Sequence, residues 1–132
     1  MTFRKYPSYL ELYDKGELEK KVQKLLERLE CCDICPHKCK KNRLKDEKGI
    51  CRTGRFAYVS SYNLHFGEEP PISGFRGSGT IFFTNCNLSC IFCQNWNISQ
   101  GEDGFEVNAL QLRDMMLELQ RARAHNLNLV TP

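Results

Sequence analysis

Apolar positions along the chain change their period repeatedly, and each change predicts a new element. Leu18, Val22, Leu25, Leu26 and Leu29 recur every three or four residues, with Lys20, Lys21, Lys24, Glu27 and Arg28 filling much of the remainder. That spacing draws one apolar stripe along an α-helix, begun at Asp14 or Gly16 and expected to pack on its own domain. From Phe56 to Phe66 the period becomes two, with Phe56, Tyr58, Ser60, Tyr62, Leu64 and Phe66 on one side and mostly smaller or polar residues on the other. A half-buried strand is expected there. Gly67 to Gly79, punctuated by Pro70, Pro71, Gly74 and Gly77, reads as a loop.

Thr80-Ile81-Phe82-Phe83 is a short apolar run after a glycine and predicts a buried strand. Asn108, with Gln111 three positions on, is a capping-box pair that starts a helix. Leu112, Met115, Met116 and Leu119 form its buried stripe, the methionines as core packing, and Asn126 is its expected stop. Leu127 to Val130 begins another apolar strand. Strand, loop, helix and strand make one βαβ unit, so the fold class is α/β. The chain divides into an N-terminal amphipathic helical segment (1–30), a cysteine-rich segment with a strand and a Gly/Pro loop (31–78), and a βαβ segment (79–132).

Composition adds exclusions. Hydrophobic residues at 41% and charged residues at 27% describe a folded, water-compatible chain. A net charge of +3 is too small a surplus to argue for nucleic acid or an anionic membrane as partner. No apolar run approaches the roughly 20 residues of a membrane span, and Met1 to Asp14 lacks the apolar centre of a secretory signal. The expected location is the cytoplasm.

The eight cysteines change the picture. In a reducing compartment, tightly spaced cysteines are metal or cluster ligands more often than disulfides. Cys86, Cys90 and Cys93, spaced C-x3-C-x2-C, follow directly on a predicted buried strand. Ordinary ferredoxin clusters take four thiolates, so three leave one iron open, and an open metal position is the mark of a reactive site. Cys32, Cys35, Cys39 and Cys51 offer four thiolates at C-x2-C-x3-C-x11-C. That set suits structural zinc or an auxiliary iron–sulfur cluster, with His37 able to replace one cysteine; a group without metal is the third reading. Cys31 is left over, as a buried free thiol. Glu68, Glu69, Glu102 and Asp103 read as solvated loop charges rather than substrate contacts, and His65 and His125 as isolated strand or helix-end residues. Phe92, taken by itself, reads as a core aromatic.

Cys86-Asn87-Leu88-Ser89-Cys90-Ile91-Phe92-Cys93 resembles the C-x3-C-x-aromatic-C motif of the radical S-adenosylmethionine superfamily. Leu64 to Gly74, Gly77 to Phe83, Cys93 to Gln100 and His125 to Pro132 are similar, more narrowly, to proteins related to pyruvate formate-lyase activating enzymes. The resemblance covers about residues 31–132. It implies that Cys86, Cys90 and Cys93 hold a 4Fe–4S cluster with S-adenosylmethionine on its open iron, and that Phe92 lies near the adenine. It implies an external electron donor of flavodoxin or ferredoxin type, reductive cleavage to a 5′-deoxyadenosyl radical, and hydrogen abstraction from a substrate such as a glycyl radical enzyme. The implied fold is a partial (β/α)6 barrel. A full eight-unit barrel takes about 250 residues, so the segment after Ser78 accommodates fewer than two units, and a truncated or N-terminal part of a longer enzyme is expected. Thr131-Pro132 also lacks the glycine-rich acidic turn that many superfamily members carry after the second strand. The rival reading is a non-catalytic cysteine-rich module binding zinc or an electron-transfer cluster.

Overall fold

The computed structural model describes Pro7, residues 9–101 and residues 103–130. Glu102, Thr131 and Pro132 lie outside the described residues, as does most of the stretch before Tyr9.

Two helices lead, α1 (Tyr9–Asp14) and α2 (Glu17–Glu27). Gly16 separates them in the left-handed conformation, φ 65°, which only glycine adopts freely. The main partner of α2 is α1. The apolar stripe is only partly covered: Val22 and Leu25 are 41% and 54% exposed, while Leu29, just past the helix, is buried.

Among the described residues, four strands form one mixed sheet in the order β3-β1-β2-β4. They are β1 (Ala57–His65), β2 (Ser78–Phe83), β3 (Phe105–Val107) and β4 (Leu127–Val130). β1 runs antiparallel to both β2 and β3, and β2 runs parallel to β4. Helix α5 (Ala109–Arg121) connects β3 to β4, so β2, α5 and β4 are the expected βαβ unit. Short helices α3 (Pro70–Ser73) and α4 (Trp96–Ser99) occupy the connections, α3 within the stretch that the sequence suggested was loop throughout.

The core is the layer between the sheet and α5. Val59, Ile81 and Val107, one from each of three neighbouring strands, meet Met115 and Leu119, with Leu112 and Met116 packed alongside. The methionine pair thus fills core space, as expected. The alternation in β1 does not hold end to end. Ala57 and Val59 face this core at odd positions, whereas Tyr62 and Leu64 do so at even ones. A bulge causes the switch: Val59 pairs with Phe83 but Ser61 with Phe82, so one extra residue sits in β1 and the side chains change faces. Phe56 and Phe66, expected on the buried side, are exposed.

The Asn108 cap forms as expected, its Oδ1 accepting from the N–H of Leu110 and of Gln111 while the Gln111 Oε1 accepts from the Asn108 N–H. The helix ends earlier than expected, at Arg121. Asn126 instead ties the sheet, its Oδ1 accepting from Ser78 Oγ at 2.8 Å and its Nδ2 donating to the Ile72 carbonyl at 2.8 Å. Gly79 lies where a Cβ would come within 2.7 Å of the Asn126 carbonyl and 2.8 Å of Ala124 Cβ, which lets the crossover close tightly on β2. Among the described residues no helix is long and apolar enough to cross a membrane.

Candidate metal centre

The loop from Cys86 to Cys93 leaves the carboxyl end of β2 through Thr84 and Asn85 and returns through α4. Backbone bonds fix its base: the N–H groups of Asn85 and Cys86 donate to the carbonyls of Ile98 and Ser99 at 3.2 and 3.1 Å. Asn85 and Ser89 carry left-handed backbones, φ 68° and 50°, which fold the loop back on itself. Near its other end, the Cys90 carbonyl accepts from the Cys93 N–H at 3.2 Å and from Gln100 Nε2 at 3.0 Å.

Two of the sulfurs are already hydrogen-bond acceptors. The Leu88 N–H donates to Cys86 Sγ at 3.3 Å, and Ser99 Oγ to Cys93 Sγ at 3.5 Å. Donors to sulfur stabilise thiolate and tune iron–sulfur clusters. Cys86 is buried, while Cys90 and Cys93 are half-buried. The tip is open: Ile91 is 96% exposed and Phe92 91%, so Phe92 is no core aromatic.

The first cysteine group is a tight backbone knuckle. The Cys32 N–H donates to the Lys41 carbonyl at 3.0 Å and the Lys40 N–H to the Cys32 carbonyl at 2.9 Å. Between them the Lys38 N–H closes a turn onto the Cys35 carbonyl at 3.0 Å, with Lys38 and Lys40 both at positive φ. Burial pushes the Cys32 thiol up. The Ile34 N–H, the Arg43 hydrogen bond and charge, and the Cys39 thiol outweigh it and hold Cys32 below the usual thiol range. Cys35, Cys39 and Cys51 are half-buried. Cys31 is exposed, correcting the expectation of a buried thiol. His37 does not join the cysteines through Nε2, which lies 2.7 Å from the Asn87 carbonyl; since a carbonyl only accepts, Nε2 carries the proton.

Among the described residues, that histidine contact is one of two hydrogen-bonded ties between the cysteine groups. The other is Arg52, whose guanidinium donates to the carbonyls of Gln100 at 3.0 Å and Ser99 at 3.3 Å. A cavity of about 380 Å³ lies between the groups, and Cys35, Cys51 and Cys86 all line it. Sequence reasoning missed Ser99, Gln100, Arg43 and Arg52 because contacts to backbone carbonyls or to sulfur leave no spacing pattern.

The donor chemistry of both groups fits a thiolate-bound metal: three thiols on one loop, four in the other segment, and N–H and O–H donors to sulfur in place. Among the described residues, however, no three His, Cys, Asp or Glu side chains are gathered closely enough to hold a metal ion. Elsewhere, His65 stacks edge-on against Phe82 with Glu68 at 4.0 Å, and the His125 ring abuts Gly74.

No family model matches the sequence, and no solved structure matches it. It is similar to the uncharacterized protein MJ0674 of Methanocaldococcus jannaschii, with 42% identity over 91 residues, or 69% of this chain. The chain spans 25% of the length of that relative.

Proposed function

We propose that this chain is the N-terminal part of a radical S-adenosylmethionine protein in which Cys86, Cys90 and Cys93 hold a 4Fe–4S cluster. The observation that carries the reading is the position of the loop: it leaves the carboxyl end of β2, whose parallel partner is β4 across α5. Carboxyl ends of parallel strands are where α/β proteins assemble ligand and catalytic sites. In this reading β2-α5-β4 is the first unit of a partial (β/α)6 barrel. Similarity to a relative of which the match covers only 25% is consistent with further units beyond it.

When bound, the cluster with S-adenosylmethionine on its fourth iron would supply reductive cleavage to a 5′-deoxyadenosyl radical that abstracts hydrogen. The chain's own residues supply the setting. Cys86, Cys90 and Cys93 are the ligands; the Leu88 N–H and the Ser99 hydroxyl stabilise negative sulfur; Asn85 and Gln100 fix the loop ends. Phe92 stands free to pack on an adenine. The partners are an external electron donor of flavodoxin or ferredoxin type and a substrate such as a glycyl radical enzyme, in the cytoplasm.

A second reading has support of its own. The knuckle at Cys32, with a thiol held low, despite burial, by Ile34, Arg43 and Cys39, suits Cys32, Cys35, Cys39 and Cys51 as ligands of structural zinc or an auxiliary iron–sulfur cluster. Such a centre could accompany the loop or be the only metal, in a non-catalytic module.

Anaerobic reconstitution with iron and sulfide separates the readings. The expected product is brown, with a spectrum that changes on adding S-adenosylmethionine. Cys90→Ala should lose that response entirely and keep whatever metal the first group binds. Colourless zinc-loaded protein, or a Cys90→Ala variant that still cleaves S-adenosylmethionine, would sink the assignment.

A further inference from the structure

The cavity between the cysteine groups adjoins a second one of about 460 Å³, and the two share Tyr58, Thr84 and Asn85. Four cations line them: Arg43 and Arg55 the first, Lys48 and Arg52 the second. No carboxylate lines either cavity. Among the described residues none of the four is in an ion pair. Asp46 and Glu106 reach Lys48 only by longer-range attraction. Arg43 also hydrogen-bonds the Cys32 thiol, whose acidity it raises; the other partners of these cations are neutral. Arg52 donates to two carbonyls, Arg43 Nε to the Gly54 carbonyl at 2.8 Å, and Lys48 Nζ lies 3.5 Å from Tyr58 Oη. Neutral partners position a cation without cancelling its charge.

We propose that this cleft binds a phosphorylated small molecule. Several uncompensated cations focused in one concavity attract multiply charged anions. Guanidinium forks match phosphate oxygens in pairs, and the hydroxyls of Tyr58 and Thr84 and the amide of Asn85 can donate to the oxygens that remain. S-adenosylmethionine carries a net positive charge, from a sulfonium and an ammonium against one carboxylate, so this charge pattern does not suit it, although Cys86 of the loop lines the first cavity. The proposal does not depend on a cluster at the loop.

The test is calorimetric titration of the metal-free full chain with inorganic diphosphate at low ionic strength. Saturable one-site binding is expected, weakened at least tenfold by Lys48→Gln alone or together with Arg55→Gln. Lys20→Gln with Lys24→Gln, on the outer face of α2, removes the same charge elsewhere and should leave binding within twofold. Citrate, a tricarboxylate, should bind at least tenfold more weakly than diphosphate. Cys90→Ala should bind diphosphate as the parent does, so a failed cluster assay leaves this result standing. No saturable binding, equal losses in both lysine sets, or citrate binding as tightly as diphosphate would overturn the proposal. Lys48 is an exposed side chain, so the single variant remains informative if the double variant misfolds.

Discussion

Tyr62 shows how one side chain can carry a pH signature. Its hydroxyl donates to Glu118 Oε2 at 2.7 Å, joining β1 to α5 at the rim of the core. That hydrogen bond, with smaller contributions from burial and the Glu118 charge, raises the phenol above its ordinary value. A raised acid holds its proton better folded than unfolded, so its stabilising contribution is complete below about pH 10 and is lost as pH rises through the folded value. Urea unfolding of the parent should therefore lose more midpoint than Tyr62→Phe between about pH 9.5 and 11, with a constant difference below pH 9. A pH-independent difference would refute the linkage. Legibility at this scale divides by chemistry. Every cysteine of the candidate sites could be found by counting, whereas Ser99 and Arg52 could not, because their partners are a sulfur and carbonyls brought near only by folding.

Elements with a local signature were legible, and those set by tertiary context were not. The capping box of α5 rests on two residues three apart, so the spacing of Asn108 and Gln111 is enough to announce it. Removing the cap by Asn108→Ala should cost about 1 kcal/mol, read as a lower urea midpoint at unchanged slope. A cost near zero would mean that packing of Met115 and Leu119 alone holds the helix start. By contrast, β3 is three residues long, too short to display a period, and exists because it pairs with Ala57–Val59. The bulge near Ser60 is equally silent: alternation predicts a flat strand, while the register with Phe82 and Phe83 requires an extra residue. Phe56 was misplaced for that reason, whereas Phe66 is exposed because it lies just past the end of β1. The stripe on α2 is the opposite case, a strong pattern whose Val22 and Leu25 remain exposed.

At the scale of the molecule, the fold divides stabilising roles between a sheet layer and a cysteine layer. Val59, Ile81 and Val107 against α5 form a hydrophobic core that involves none of the cysteines. The cysteine-rich segment instead docks on the loop by directional contacts, the His37 and Arg52 bonds to carbonyls. Such contacts stabilise by about 1 kcal/mol each when partly exposed, so docking should open well below the global unfolding energy. Arg52→Ala tests this division. Amide hydrogen exchange should quicken roughly fivefold in residues 31–55 and 86–100, while β1, β2 and α5 keep their protection. Uniform loss of protection would show that the two layers unfold as one unit. Local opening of this kind would have a functional corollary: the thiols proposed as ligands could rearrange around a metal without disturbing the sheet that positions them.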